Sequence, residues 1–230
     1  RSLLLGQRYF QSRFGTRATV GWLPDNFGHG AQLPQLLKLA GMFAFYGHRC
    51  MPKLGPFVWE GTDGSRVINY VTPTYNGELT PPIRELPHQY DPRHNKLIWV
   101  YGVGDHGGGP TRRDITRAML YNTIPGFPKI EFGTADAFFR SLRADTKDYP
   151  VHRGELQYIF EGCYTSISRI KEGNRACENT LYAAELLSSL MALHGRPYPA
   201  AEFAEAWYRV AFNQFHDILC GSAVHESNRE

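Results

Sequence analysis

The chain has 230 residues, 42% apolar, 20% charged and 13% aromatic, and its 25 Lys and Arg against 22 Asp and Glu leave a net charge of +3. At ~100–200 residues per domain this is one large domain or one and a half, with ample core material, which excludes a disordered chain. So small and scattered a basic excess argues against a nucleic-acid or membrane-surface partner.

Two textures divide the sequence. Residues 1–150 mix short β-rich runs, Gly/Pro turns and helical patches, whereas residues 151–230 are dominated by helical periodicity. The opening Arg1-Ser2-Leu3-Leu4-Leu5-Gly6 has neither a long apolar stretch nor a small-residue cleavage site, so no signal peptide is expected. Thr19–Leu23 reads as a strand ending at Pro24-Asp25. Gln32–Ala40 is a short amphipathic helix stopped by Gly41, and Phe43–Tyr46 is the next strand. Phe57–Glu60, the turn Gly61–Gly64 and Arg66–Val71 form a hairpin. Residues 72–95 carry five prolines and little periodicity, the mark of an insertion or lid. Lys96–Val103 is a nearly continuous apolar run, as in a parallel strand covered on both faces. Arg112–Leu120 is a helix, Lys129–Phe132 a strand and Ala135–Leu142 a helix. Strand, loop and helix in this alternation predict an α/β barrel or a doubly wound sheet. Gly173–Leu193 and Ala201–Leu219 then read as two long helices of a small bundle, broken at Gly195, Pro197 and Pro199.

No apolar run approaches the ~18–20 residues that cross a bilayer. Cys50, Cys163, Cys177 and Cys220 are far apart and form no C-x-x-C pair, so a thiolate zinc site and a disulfide framework are not expected, and reduced thiols of a cytosolic protein are.

Four segments could carry chemistry. Asp25, in Gly21-Trp22-Leu23-Pro24-Asp25-Asn26-Phe27-Gly28, falls at the carboxyl edge of a strand, where α/β folds place catalytic groups. Locally, an Asx turn is the commoner explanation of the same residues. Asp105 follows the apolar run Lys96–Val103 inside a loop with Gly102, Gly104, Gly107, Gly108 and Gly109. The Lys-Ser/Thr pair of a phosphate loop is absent, and such glycine density directly on a core strand favours a functional loop over a connector. His216-Asp217 lies near a helix C-terminus, whose partial negative charge suits a cation, although the segment holds too few ligands for a metal by itself. Phe160–Ser166 reads no further than a strand-to-helix connection. His29, His48 and His88 read as ordinary polar residues.

Together the segments resemble a known family. W-x-P-D-x-F-G-x-x-x-x-L-P-Q (Trp22 to Gln35), G-x-G-D-x-G-G-G-P-T (Gly102 to Thr111), Y-T-S-x-x-x-I-K-x-x-N-R-x-x-E (Tyr164 to Glu178) and N-Q-F-H-D-x-L-x-G-S (Asn213 to Ser222) occur in that order. The chain is similar to the retaining α-mannosidases of glycoside hydrolase family 38, in the cytosolic and bacterial branch. The resemblance implies an α/β fold, an incomplete (β/α)7-type barrel over 1–150 followed by a small helical-bundle domain over 151–230. It implies hydrolysis of terminal α-mannose from an oligosaccharide substrate by a metal-dependent double displacement, in the cytoplasm, with Zn2+ as cofactor and Co2+ or Mn2+ as substitutes. A homo-oligomer is compatible with it.

By motif match Asp25 would be nucleophile and metal ligand, Asp105 the general acid/base, and His216 the distal metal ligand. Asp217 would support the site by hydrogen bonding and line the substrate pocket with Phe27, Arg49 and Phe160. His106 stands where the family has Gly, and Phe160 where some members have Trp. Two carboxyl groups ~5–5.5 Å apart suit a retaining glycosidase. The family's upstream H-x-D metal segment is missing, so the chain reads as a piece of the enzyme, with metal binding and turnover weak or absent in residues 1–230 alone. Two other readings stay open, a metal-dependent carbohydrate deacetylase and a non-catalytic carbohydrate-binding remnant.

Overall fold

The structure is a computed structural model, described here for residues 1–50, 55–72, 74, 75, 77, 79, 96–103, 108–142, 148–224 and 226. The chain divides into two compact units, residues 14–159 and residues 1–13 with 160–230.

The larger unit is built on one sheet. Its strands are β1 (Val20–Trp22), β2 (Ala44–Tyr46), β3 (Gly55–Glu60), β4 (Arg66–Val71) and β5 (Val151–Arg153), in the order β1-β2-β4-β3-β5. β1, β2 and β4 run parallel, β3 pairs antiparallel with β4 as the expected hairpin, and β5 adds parallel to β3. The Gly61–Gly64 turn closes that hairpin with Gly64 at φ 82° and Gly61 N–H donating to the Ser65 carbonyl at 2.8 Å.

Strand alternation assigns the two faces. On one, Ala44, Tyr46, Val58, Ile68 and Tyr70 pack against Phe139, Leu142 and Tyr149, so that helix α4 (Ala135–Leu142) covers it. On the other lie Phe45, Trp59 and Val67, all buried, with helix α2 (Leu33–Leu39) packed on β4. Gly21 of β1 admits α2 closely: a Cβ there would meet Leu37 Cδ2 at 2.9 Å. Burial of each of these large side chains contributes about 2 kcal/mol.

Among the described residues, two expected strands are absent. In 96–103 the backbone makes one isolated parallel bridge, Gly77 to Tyr101. Ile98 and Val100 pack on the sheet core, while Trp99 and Tyr101 pack on Leu79 and Ala118. The run is apolar because it is packed on both sides, and that packing does not require a ladder. Over 129–132 the Asn122 side chain does the work of a neighbouring strand: its Nδ2 donates to the Ile130 carbonyl at 2.9 Å and its Oδ1 accepts from Ile130 N–H at 2.7 Å. Most of the proline-rich excursion, and His88 with it, lies outside the described residues. Helix α3 (Arg112–Tyr121) is present as expected and begins with a capping box between Thr111 and Asp114.

The second unit holds α1 (Ser2–Phe14, its last residue falling in the other unit), α5 (Ser168–Ala192), α6 (Ala200–Asn213) and α7 (His216–Leu219). The expected long second helix breaks at Gln214-Phe215. Gln214 explains the neighbouring motif residues: its Nε2 donates to Asn174 Oδ1 at 3.0 Å and Glu178 Oε1 at 2.8 Å, and its Oε1 accepts from Ser2 Oγ at 3.2 Å. One amide thus ties α1 and α5 to the end of α6. Among the described residues, no helix is long and apolar enough to cross a membrane.

His29 sets a pH dependence. It is 9% exposed, its ring edge-on to Phe45 at 4.8 Å, and burial lowers its pKa to about 4. Below about pH 6.5 the unfolded chain takes a proton that the folded one refuses, so the imidazole withdraws stability as pH falls toward 4, by about 3 kcal/mol in full. Above pH 6.5 it contributes nothing. Urea denaturation of the protein and His29→Phe from pH 7.5 to 4.5 should show the wild type losing stability relative to the variant. Parallel curves would refute the assignment.

Candidate active site

Asp25 follows β1 by three residues, at the carboxyl edge of the parallel strands, as the sequence placed it. Its loop is held on the β2 side by Leu23 N–H donating to the Tyr46 carbonyl at 2.9 Å. The Pro24 carbonyl accepts from the His48 and Arg49 N–H groups at 3.2 and 3.3 Å. Those bonds bring the segment after β2 against Asp25. The Arg49 guanidinium donates through Nε to Asp25 Oδ1 in a half-buried ion pair, and its Nη2 donates to the Tyr75 hydroxyl at 2.9 Å. Tyr75 also bonds Asp25, and the Arg49 guanidinium lies 5.4 Å from the Tyr75 ring centroid.

The electrostatics follow from this arrangement. Burial works against the Arg49 cation, but Tyr75 and Asp25 outweigh it and hold the guanidinium above its ordinary value. Burial, then the hydrogen bond to Asp25, pushes the Tyr75 phenol up to about 12, so it remains a donor at any working pH. His48 packs on Tyr75 with ring centroids 5.0 Å apart. Burial and Arg49 lower its pKa, against the Thr72 carbonyl and Asp25. Trp22, 42% exposed, stacks on Tyr46 at 4.1 Å, and the Tyr46 hydroxyl is 2.6 Å from Thr72 Oγ1.

Arg49, expected in the substrate pocket, is brought to Asp25, and Phe27 is half-buried in the Asp25 loop. Asp105 lies outside the described residues; the feet of its loop are pinned together by Val103 N–H donating to the Gly108 carbonyl at 3.1 Å. Phe160, His216 and Asp217 belong to the other unit. Phe160 is 48% exposed at φ 59°. His216 lies against Phe215 with ring centroids 4.1 Å apart, and exposed Asp217 accepts from Ser222 Oγ at 3.3 Å. Tyr75 was missed because it stands in the proline-rich excursion, where no periodicity marks it. His48, read as an ordinary polar residue, is half-buried with Nδ1 lacking a hydrogen-bond partner among the described residues.

The described residues do not form a metal site. Asp25 is engaged by a guanidinium, and no three His, Cys, Asp or Glu side chains gather anywhere among them.

Residues 1–155 match the glycosyl hydrolases family 38 N-terminal domain, and residues 158–230 the alpha mannosidase middle domain. The chain belongs to glycosyl hydrolase family 38. Alpha-mannosidase G of Dictyostelium discoideum is 36% identical over 236 residues, covering 97% of this chain and 22% of that protein. Human alpha-mannosidase 2C1 is 34% identical over 238 residues, covering 97% and 23%. An alpha-mannosidase from Enterococcus faecalis V583 superposes with a TM-score of 0.83 at 24% identity, over 98% of this chain and 28% of that one, which establishes the fold. The family 38 chain described here therefore spans about a quarter of the length of these relatives.

The ion pair can be weighed directly. A double-mutant cycle with Arg49→Met and Asp25→Asn, read by urea denaturation, should give a coupling of about 1–2 kcal/mol, because each partner shields the other from an unpaired, half-buried charge. Coupling near zero would show that the pair does not form.

Proposed function

We propose that the whole protein hydrolyses terminal α-mannosyl residues from oligosaccharides by a retaining double displacement. The observation that carries the reading is Asp25, at the carboxyl edge of β1, oriented by Arg49 and Tyr75 inside the first of four family motifs in order. In the first step an Asp25 oxygen bonds the anomeric carbon while the glycosidic C–O bond breaks, and Asp105 gives its proton to the leaving oxygen. In the second, Asp105 takes a proton from water, which attacks the anomeric carbon and releases Asp25. Arg49 and Tyr75 fix the carboxylate before the sugar arrives, so little reorganisation remains for the reaction itself. Phe27, in the Asp25 loop, would line the sugar pocket.

The reading extends to architecture and setting. The sheet would form one arc of a (β/α)7-type barrel over 1–150, and the helices a small bundle over 151–230. The motif resemblance to the cytosolic and bacterial branch, with four cysteines that form no disulfide, supports a cytoplasmic location.

The test is p-nitrophenol release from p-nitrophenyl α-mannoside by the intact gene product. Hydrolysis with α-mannose as the first product, reduced by about 10³-fold or more in Asp25→Asn, is expected. A folded protein without hydrolysis would favour the deacetylase or binding-remnant reading, and an active Asp25→Asn would remove the nucleophile. A chelator arm reports on zinc separately. Loss of activity restored by Zn2+ would show that the whole protein depends on the metal; indifference to chelation would dismiss it.

A further inference from the structure

The order β1-β2-β4-β3-β5 puts β1 and β5 at opposite edges of the sheet. Even so, the loop that leaves β1 with Asp25 ends against the turn that leaves β5. His29 and Leu156 exchange both backbone hydrogen bonds, each 2.9 Å. The His29 ring sits edge-on to Phe45 of β2, 4.8 Å away, and 6.4 Å from Trp59 of β3, so the loop crosses the sheet face over these two rings. Trp59 Nε1 donates to the Gly154 carbonyl at 2.9 Å, which fixes the receiving turn to the sheet. Beside the pair, Gly28 (φ 152°) lies so close to Gln157 that a Cβ would meet its Cγ at 2.8 Å.

The Asp25 loop therefore has two anchors. The near one is the exit of β2, through Pro24, His48 and Arg49. The far one is the turn 154–157, and Asp25 to Gly28 span the interval. We propose that His29, clasped by the turn after β5, is a positioning residue that holds Asp25 in attacking geometry, a role that rests on the reading of Asp25 as nucleophile.

What the imidazole supplies there is its shape. Nε2 has no hydrogen-bond partner among the described residues, and the ring's neighbours are aromatic. The backbone makes the pairing, while the ring fills the slot that keeps it in register. An aromatic replacement should therefore serve where alanine does not.

The readout is covalent capture. A 5-fluoro-α-mannosyl fluoride gives a glycosyl ester when the Asp25 carboxylate bonds the anomeric carbon and fluoride departs with the C–F electron pair; the ester is scored by intact mass on the intact gene product. An ångström of misplacement at a reacting group costs on the order of 10²-fold. His29→Ala should thus label about 10- to 100-fold more slowly and lose kcat similarly, with KM changed less than about threefold. His29→Phe should recover most of the labelling rate. Circular dichroism and melting confirm that both variants are folded at the assay temperature.

Should His29→Ala fail to fold there, Gln157→Ala, which frees Gly28 without touching the core, must slow labelling in the same direction. Wild-type labelling by a folded His29→Ala, or by Gln157→Ala in its place, would overturn the proposal. Equal loss in His29→Ala and His29→Phe would also overturn it, since the imidazole would then act by its chemistry. Asp25→Ala separates the two readings: if that variant still labels, the nucleophile assignment fails, whatever the His29 variants do.

Discussion

A part-buried carboxylate on a loop must be held from more than one side, and in this protein that constraint organises the larger unit. Asp25 leaves the sheet at β1, one edge, and its loop is tied first to β2 and then to the turn after β5, the other edge. The path runs over Phe45 and Trp59, whose rings lie 5.6 Å apart and tilted by 53°, and Gly21 and Gly28 leave out side chains where α2 and Gln157 come close. The opposite face, buried by Phe139, Leu142 and Tyr149, leaves this one free to carry the loop. Sheet, loop and site therefore share one packing solution.

The ion pair depends on the same arrangement. Arg49 reaches Asp25 because two amides of its segment bond the Pro24 carbonyl, which draws the exits of β1 and β2 together. An arginine fork can serve the carboxylate and the Tyr75 hydroxyl at once, which a lysine point charge cannot do with the same fixed geometry. In the helical unit a single neutral amide has the comparable task. Gln214 satisfies Asn174, Glu178 and Ser2 together, so the N-R-x-x-E and N-Q motifs act there as structure.

Legibility followed the range of the forces involved. The hairpin, the helices at 33–39, 112–121 and 135–142, and the long helix at 168–192 were readable, since turn chemistry and side-chain periodicity act within a few residues. Lys96–Val103 and Lys129–Phe132 misled because apolar content reports burial and says nothing of a ladder partner. Asn122 could substitute for a strand only after the fold had brought Ile130 to it. β5, three residues long, and α1, with a single buried residue, carried too weak a pattern to be seen. Asp25 was singled out by its motif and Arg49 by the family resemblance, whereas Tyr75 and His48 carried no signal of a site and meet Asp25 and Arg49 through tertiary contact.

The sequence by itself determined the family, the order of the motifs, the local helices and turns, and the carboxylate at the end of β1. Tertiary structure alone decided which groups neutralise that carboxylate, why His29 is a buried neutral ring, and which distant turn secures the loop. The division has a physical cause. Propensity and periodicity are properties of neighbours along the chain, but the burial of an imidazole and the pairing of a charge depend on residues brought close only by folding.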